Sequence, residues 1–338
     1  MNKRCLPSLP VILAASSLVA AACGGAQPGR GAVIDIDGSS TVFPITEAVA
    51  EDFMVANPGS RVTVGESGTG GGFQKLCRGE TVVSDASRPI KQSEIDACAA
   101  AGISFIELPV AYDGLTVVVN GANDWAPSMT VAELKTLWQP GAQGTVSRWN
   151  QVRPGWPDEE IHLFGPGVAS GTFDYFTEAI NGEAKASRGD YTSSEDDNVL
   201  VQGVAGDRLA LGSFGLAYYE QNQDKLKAVG IDDGNPDNGD GPVLPSIATV
   251  KGGTYRPLSR PLFIYVSTAA LDRGEVQSFI EFYLHDGPAL AAEVGYVPLS
   301  DSEQALVRER FAARTTGTMY GDATSQTMAL EDLLRATR

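Results

Sequence analysis

Residues 32–89 alternate between strand-like and helix-like segments, and this alternation limits the chain to a small set of α/β architectures. The strand-like segments are AVIDIDG (32–38), RVTVGESG (61–68) and TVVSDASRP (81–89), and amphipathic helical patterns separate them. Helical crossovers between successive strands favour a mostly parallel, doubly wound sheet. In such sheets a ligand binds beyond the carboxyl ends of the strands, where the following helices begin.

Three stretches rich in glycine and hydroxyl residues lie at these junctions. They are DGSSTVFPI (37–45), GESGTGGGF (65–73) and GPGVASGT (165–172), the last followed directly by the helical pattern FDYFTEAI. The first backbone N–H groups of a helix have no partner within the helix, and they attract anions. Three such helix starts meeting at one point predict a cage for a small oxyanion. The alternative is three ordinary helix caps, since Ser and Thr are favoured there in any case.

The remainder of the chain has the same alternating character and is long enough for a second lobe. Strand-like segments occur at 110–120 (VAYDGLTVVVN), 160–167 (EIHLFGPG) and 261–267 (PLFIYVS), and the tail is mostly helical. A chain of 338 residues exceeds the usual size of one small domain. We therefore expect two α/β lobes.

The net charge of −17 excludes some functions. Binding of nucleic acid or of an anionic membrane through a basic face is not expected. An anion bound by such an acidic chain must be held by local geometry, because long-range attraction is absent.

The first residues, MNKRCLPSLPVILAASSLVAAAC (1–23), have the basic start and short apolar run of an export signal. The segment ends at Cys23 and resembles the bacterial lipoprotein signal, in which this cysteine becomes the lipidated N-terminus. The alternative is a plain secretory signal cut near Ala22. We predict a signal peptide over 1–22, a tether over 23–30, and an exported protein anchored by lipid at the periplasmic or outer face of the cell membrane.

Two cysteines, Cys77 and Cys98, remain in the exported body. In an oxidising compartment the simplest expectation is that they form one structural disulfide. Two cysteines and two histidines are too few to favour a zinc site, so no metal or other cofactor is expected.

Taken together, five motifs resemble the phosphate-binding lipoproteins of bacterial phosphate-specific ABC transporters. The motifs are GSSTVFPI (38–45), SGTGGGFQKLCRGE (67–80) with SDASRPIKQSE (84–94), GPGVASGTFDYF (165–176), SEDDNVLVQGV (194–204) and VGYVPL (294–299). The resemblance implies the type II periplasmic-binding-protein fold, with lobe 1 formed by 31–115 and 266–338 and lobe 2 by 116–265. Two crossing strands, near 113–119 and 261–267, would form the hinge.

The resemblance also implies a function and a set of ligand-binding residues. A monomer would bind inorganic phosphate between its lobes and deliver it to ABC permease and ATPase subunits, with no enzymatic step. Many members have an arginine at the position of Pro166, so we expect Arg88 to supply the positive charge here, through paired hydrogen bonds. The expected phosphate-binding residues are Ser39, Ser40, Thr41, Ser67, Thr69, Arg88, Ser170, Gly171 and Thr172.

Selectivity for phosphate over sulfate needs an acceptor for the phosphate proton. A site that hydrogen-bonds one ligand group rejects an analogue lacking it, because a buried polar atom is left unpaired. Many members use the aspartate of a short SDA element, which matches Asp85, and Asp113 and Asp197 are further candidates.

The same sequence features are compatible with other functions. A binding protein for sulfate or molybdate, or a sensing or adhesion lipoprotein of the same fold, are the alternatives. A serine hydrolase is disfavoured, because neither GVASGT nor GESGT matches the G-x-S-x-G elbow.

Overall fold

The computed structural model of the chain describes residues 33–168, 170–194, 196–236, 241–321 and 328–337. The predicted signal peptide, Cys23 and the tether lie outside these residues. Twelve strands are assigned within the described part: β1 (Ile34–Gly38), β2 (Val62–Gly65), β3 (Val83–Ala86), β4 (Phe105–Asn120), β5 (Ser128–Thr130), β6 (His162–Pro166), β7 (Thr192–Ser194), β8 (Ala210–Gly215), β9 (Leu226–Ala228), β10 (Gly230–Asp232), β11 (Ser259–Ser267) and β12 (Val297–Pro298).

The helices alternate with these strands along most of the chain. Twelve α-helices are assigned within the same described ranges: α1 (Phe43–Ala56), α2 (Thr69–Cys77), α3 (Gln92–Ala100), α4 (Val131–Trp138), α5 (Trp149–Val152), α6 (Gly171–Asn181), α7 (Asp197–Gly206), α8 (Leu216–Glu220), α9 (Ile247–Lys251), α10 (Gly274–Glu293), α11 (Asp301–Ala312) and α12 (Leu330–Ala336). None of the described helices has the length and apolar character needed to cross a lipid bilayer.

The first half of the sheet has the topology expected from the sequence. β1 pairs in parallel with β2 on one side and with β3 on the other, and α1 and α2 connect them. Ile34 and Ile36 of β1 are buried against the helices, while the loop residues after β1 extend beyond its carboxyl end. The β-α-β-α-β order and the parallel pairing are thereby confirmed.

Two long antiparallel strands connect the halves of the sheet. β4 has 16 residues, all buried, and its first part pairs with β11 while its last part pairs with β8 and β9. The strand order is β2-β1-β3-β11-β4-β8-β6-β7. The sheet is therefore parallel within each outer part and antiparallel at its centre, which is the mixed pattern of a fold whose chain crosses twice between lobes.

The second half of the sheet repeats the arrangement of the first. β6 pairs in parallel with β7 and β8, and α6 follows β6 at the edge that faces the first half. Ser170 is the N-cap residue of α6, and its Oγ accepts a hydrogen bond from the Thr172 N–H at 3.1 Å. This cap fixes where the helix begins.

The C-terminal helices pack on the first half of the sheet. α10 packs against α1, with the rings of Phe53 and Phe279 in edge-to-face contact at 5.2 Å. Glu107 on β4 accepts hydrogen bonds from the Met319 N–H at 2.7 Å and from Thr318 Oγ1 at 2.8 Å. The tail is thus attached to the same half as the N-terminal strands, although the exact residues that bound the two lobes stay a prediction.

A disulfide joins α2 to α3. Cys77 is the last residue of α2 and Cys98 lies within α3, and the two sulfurs are bonded. The predicted disulfide is confirmed, and it fastens the two helices that flank the Arg88 segment.

Candidate functional site

A cleft of about 280 Å³ lies where the loops of the first half face α6 of the second half. Its first wall is lined by five hydroxyl residues and three cations. These residues are Ser39, Ser40, Thr41, Thr69, Ser87, Arg88, Lys91 and Arg260. The opposite wall is formed by Asp174, Tyr175 and Glu178 of α6 together with Ala184.

The loop after β1 enters the cleft because a glycine permits close contact between two strands. A Cβ on Gly38 would lie 2.1 Å from the carbonyl oxygen of Asp85, a distance that no side chain tolerates. The Thr41 N–H then donates to Ser39 Oγ at 3.2 Å, and the cap residue Val42 makes no side-chain capping bond. Ser39, Ser40 and Thr41 therefore lie at the cleft, as the sequence predicted for these three residues.

The start of α6 rests directly on this loop. A Cβ on Gly171 would lie 2.6 Å from the backbone nitrogen of Thr41 and 2.7 Å from its Cα. Thr41 Oγ1 donates to the Gly171 carbonyl oxygen at 3.3 Å. The two halves are in contact here, and only glycine allows this approach. Ser170, Gly171 and Thr172 thus adjoin the first loop, with the Ser170 hydroxyl acting as the helix cap.

The two hydroxyl residues that follow β2, Ser67 and Thr69, make different contacts. The Ser67 hydroxyl is hydrogen-bonded to Asp37, whose other oxygen accepts from Lys75 Nζ at 2.5 Å. Burial acts to raise the pKa of Asp37, but the bonds from Lys75 and Ser67 bring it below its usual value. Ser67 therefore supports the loop, and it does not line the cleft.

Thr69 is the hydroxyl residue of this loop that lines the cleft. Its Oγ1 is 3.1 Å from Ser87 Oγ and accepts a hydrogen bond from the Ser87 N–H at 3.2 Å. Ser87 was missed in the sequence analysis, although it directly follows the SDA element within the third predicted strand segment, 81–89.

The arginine predicted to supply the charge is largely neutralised by a neighbour. Arg88 makes two hydrogen bonds to Glu94, at 2.9 and 2.8 Å, and its guanidinium lies 5.6 Å from the Phe73 ring centroid. Arg88 lines the cleft, but its planar group is already occupied by the Glu94 carboxylate.

A second arginine, missed by the sequence analysis, lines the cleft and contacts both of its walls. Arg260 on β11 donates from Nη2 to Thr41 Oγ1 at 3.2 Å, and its Cζ lies 3.5 Å from the Tyr175 ring centroid. Its Nε is 3.5 Å from Asp113 Oδ2 and has no hydrogen-bond partner among the described residues. The signal that could have identified Arg260 is its position directly before the predicted hinge strand 261–267.

The three predicted proton acceptors lie in different places. Asp85 is fully buried inside the first half, where its Oδ1 accepts from Thr46 Oγ1 at 3.0 Å, and burial raises its pKa to about 8. Asp113 lies beside Arg260, and burial raises its pKa to about 6 although Arg260 opposes the shift. Asp197, at the first position of α7, accepts from the Gly215 N–H at 3.5 Å. Of these three carboxylates, Asp113 is the one that contacts a cleft residue.

Two further carboxylates face the cleft from α6. Asp174 Oδ1 is buried and has no hydrogen-bond partner among the described residues, and burial raises the pKa of this side chain. Glu178 is more exposed and its Oε2 lies 3.9 Å from Arg260 Nη1. Their spacing on one helix face is visible in FDYFTEAI, but the sequence alone does not say which face meets the cleft.

The histidines lie outside the cleft. His162 is hydrogen-bonded to Asp207, and His285 Nδ1 lies 3.2 Å from Asp286. No described histidine therefore adjoins the cleft hydroxyls, as a serine nucleophile with a histidine base requires.

Comparison with known proteins gives one consistent family. Residues 25–286 match the sequence model of the PBP superfamily domain. The chain is 49% identical to Protein SphX of a Synechocystis species over 93% of this chain and 92% of the relative. It is 40% identical to the phosphate-binding protein PstS of Staphylococcus saprophyticus over 84% of this chain and 87% of that protein. The chain belongs to the PBP superfamily, among the PstS-type substrate-binding proteins of phosphate ABC transporters.

A solved structure supports the same assignment. The crystal structure of a possible phosphate binding protein from Planctomyces limnophilus is 52% identical, covers 84% of this chain and 98% of its own, and superposes with a TM-score of 0.80. The PstS-type fold expected from the motifs is thereby confirmed over most of the chain.

Proposed function

We propose that this protein binds inorganic phosphate in the cleft between its lobes and delivers it to an ABC importer. The observation that carries the proposal is Arg260, whose buried Nε has no hydrogen-bond partner among the described residues and whose Nη2 donates to Thr41 Oγ1. Ser40 and Thr69 line the same cleft. The printed name of the Staphylococcus relative supports phosphate as the anion. The acidic net charge of −17 agrees with capture by local donors at short range.

Each wall of the cleft has its own part in this proposal. Backbone N–H groups and hydroxyls of the first lobe donate to the phosphate oxygens, and Arg260 supplies the charge. α6 of the second lobe closes over the ligand by rotation about β4 and β11, which connect the lobes. We take 31–115 with 266–338 as lobe 1 and 116–265 as lobe 2.

Asp174 is our candidate for the acceptor of the phosphate proton. Its buried Oδ1 has no other hydrogen-bond partner among the described residues, and it faces the cleft donors from the opposite wall. A carboxylate at this position accepts a hydrogen bond from protonated phosphate and repels sulfate, which has no proton at neutral pH. Asp113 remains a second candidate because it already contacts Arg260.

The binding proposal is tested by calorimetric titration of the protein with phosphate at pH 7, with Arg260→Gln and Arg88→Gln compared. Loss of a buried charge-assisted contact costs about 2–3 kcal/mol, so Arg260→Gln is expected to weaken binding about 30- to 150-fold. Arg88→Gln is expected to weaken it much less, because Glu94 already occupies that guanidinium.

Arg208→Gln serves as the control, since Arg208 is exposed and pairs with Asp124 away from the cleft. Absence of measurable phosphate binding by the unaltered protein would contradict the proposed function. Equal losses for Arg260→Gln and Arg88→Gln would contradict the assignment of the charge to Arg260.

The membrane attachment is a separate part of the proposal. The pattern of residues 1–23 supports export and lipid attachment at Cys23. In cells of a lipoprotein-processing bacterium, Cys23→Ala should move the protein from the membrane fraction to the soluble exported fraction. Retention of the variant in the membrane fraction would argue against an anchor at this residue.

A further inference from the structure

The guanidinium of Arg260 is packed against the ring of Tyr175 on α6. Its Cζ lies 3.5 Å from the ring centroid, a separation at which the planar group must lie flat on the ring. The N–H groups of a guanidinium point outward in its own plane, and Nη2 donates to Thr41 Oγ1 at 3.2 Å. One face of the guanidinium is therefore covered by α6, while its edge stays available for hydrogen bonds.

Tyr175 is itself held firmly in place. The side chain is 5% exposed, and its hydroxyl donates to the Pro257 carbonyl oxygen at 2.7 Å. Burial raises the pKa of Tyr175 well above its usual value, so the hydroxyl keeps the proton that it donates. Pro257 lies three residues before Arg260 on the segment that leads into β11. Tyr175 therefore joins α6 to this segment at two points, the hydroxyl at Pro257 and the ring at Arg260.

Two carboxylates lie close enough to Arg260 to compete for its donors. Asp113 Oδ2 is 3.5 Å from Nε without a hydrogen bond between them, and Glu178 Oε2 is 3.9 Å from Nη1. Arg88 shows the alternative, because its guanidinium pairs with Glu94 through hydrogen bonds of 2.9 and 2.8 Å. Arg260 has carboxylates within a similar reach and yet makes no such pair.

We propose that Tyr175 is a positioning residue, whose ring keeps the Arg260 guanidinium available to phosphate by preventing it from turning into a full pair with a neighbouring carboxylate. The inference rests on the proposed function, in which Arg260 supplies the charge. Tyr175 acts through Arg260 in this account, because its own hydroxyl is already bonded to Pro257.

Two substitutions separate the ring of Tyr175 from its hydroxyl. Tyr175→Leu removes the ring surface, and a desolvated contact between a cation and an aromatic ring is strong enough to predict a loss of phosphate affinity of about 5- to 30-fold. Tyr175→Phe keeps the ring and loses only the bond to Pro257, so it should retain most of the affinity. Both affinities are measured by calorimetry at pH 7.

A double-mutant cycle with Arg260→Gln tests whether the ring acts through the guanidinium. In the Arg260→Gln background, Tyr175→Leu should cause no further loss of phosphate affinity, whereas a general structural defect would add to the first loss. For the weaker variants, the affinity is taken from the rise of the thermal unfolding midpoint with phosphate concentration. The midpoint without phosphate shows separately that each variant is folded.

Phe176→Leu is the matched control for removal of a ring from the same helix. Phe176 is 2% exposed and packs edge-to-face on Trp138, with the ring centroids 5.2 Å apart. This variant should lower the thermal unfolding midpoint and leave phosphate affinity unchanged, because the Phe176 ring packs on Trp138 and not on Arg260.

The outcomes distinguish this inference from the proposed function. Unchanged affinity in Tyr175→Leu, together with a loss in Arg260→Gln, overturns the role of Tyr175 and leaves the proposed function intact. Equal losses from Tyr175→Leu with and without the Arg260 guanidinium also overturn it, since the effect would then not pass through Arg260. Absence of phosphate binding by the unaltered protein overturns both.

Discussion

The two walls of the cleft differ in the chemistry they present to an anion. The first wall consists of hydroxyls, backbone N–H groups and Arg260, all of which donate hydrogen bonds or carry positive charge. The wall formed by α6 presents Asp174, Glu178 and the ring of Tyr175, which are acceptors and a flat surface. The donor wall can hold any small oxyanion, whereas the acceptor wall favours one that carries a proton. Binding strength and selectivity are therefore assigned to different walls of the cleft.

The largest expected loss of phosphate affinity comes from preventing contact between the two walls of the cleft. Gly171→Ala places a Cβ 2.6 Å from the Thr41 backbone nitrogen, so α6 cannot rest on the first loop. Phosphate affinity should fall about 100-fold or more, because the ligand then contacts one wall only. Calorimetry measures the affinity, and small-angle scattering with saturating phosphate measures whether the protein stays open.

The matched control for this change is Gly274→Ala. Gly274 is the first residue of α10 and a Cβ there would meet nothing within 4 Å. This variant should keep the affinity of the unaltered protein. If Gly171→Ala bound phosphate equally well, contact between the walls would not be required for binding.

A smaller loss is expected from the hydroxyl that joins the two walls. Thr41 Oγ1 accepts from Arg260 Nη2 at 3.2 Å and donates to the Gly171 carbonyl oxygen at 3.3 Å. Thr41→Val keeps the shape and removes both bonds, which should weaken phosphate binding about 5- to 30-fold in a calorimetric titration.

Thr63→Val is the control for loss of a hydroxyl elsewhere. Thr63 Oγ1 bonds Asp35 on an exposed face of the first lobe, at 2.6 Å. Its replacement should leave phosphate affinity unchanged, and a loss equal to that of Thr41→Val would assign the effect to general destabilisation.

Selectivity should depend on the other wall. Asp174→Asn replaces a proton acceptor by a group that can also donate, so sulfate is no longer repelled. We expect phosphate affinity to fall a few-fold, about 2- to 10-fold, and the ratio of phosphate to sulfate affinity to fall further, as measured by competition between the two anions. Glu178→Gln, at the more exposed carboxylate of the same helix, should change the ratio less. An unchanged ratio of phosphate to sulfate affinity in Asp174→Asn would contradict this role for Asp174 and favour Asp113 as the proton acceptor.

Part of the fold and of the candidate site could be predicted from the sequence. The alternation of β1 to β3 with α1 and α2 was readable, because buried strands and amphipathic helices have distinct hydrophobic periods. The loops at 39–41 and 69 were readable because glycine and hydroxyl residues at helix starts have a direct physical reason. These features depend on residues that are close in sequence.

The features that the sequence did not reveal depend on contacts between distant segments. Arg260 reaches Thr41 only because β11 returns across the sheet beside β4. The Ser67 hydroxyl is taken by Asp37 because β1 and β2 are paired. Short motifs carry no information on such partners, so the motif match for Ser67 could not show how its hydroxyl is engaged. Arg88 is different, because its partner Glu94 lies six residues away within the same motif.

The smallest expected effect on binding comes from Asp85, whose influence should be on stability. Its side chain is fully buried among Thr46 and neighbouring core residues, and burial raises its pKa to about 8. The unfolded chain releases this proton near pH 4 while the folded protein keeps it until about pH 8. The unfolded state therefore binds fewer protons in this interval, and this group makes the free energy of unfolding fall as pH rises, by up to about 1.4 kcal/mol per pH unit.

Asp85→Asn removes this titration and distinguishes a stability role from a ligand role. Thermal unfolding midpoints measured from pH 4 to pH 9 should decline less steeply in the variant than in the unaltered protein. If Asp85 acts only inside the first lobe, phosphate affinity and the ratio of phosphate to sulfate affinity should both stay unchanged at pH 7. A loss of selectivity in this variant would instead show that Asp85 accepts the phosphate proton, which requires the end of β3 to turn the Asp85 carboxyl toward the cleft when the ligand binds.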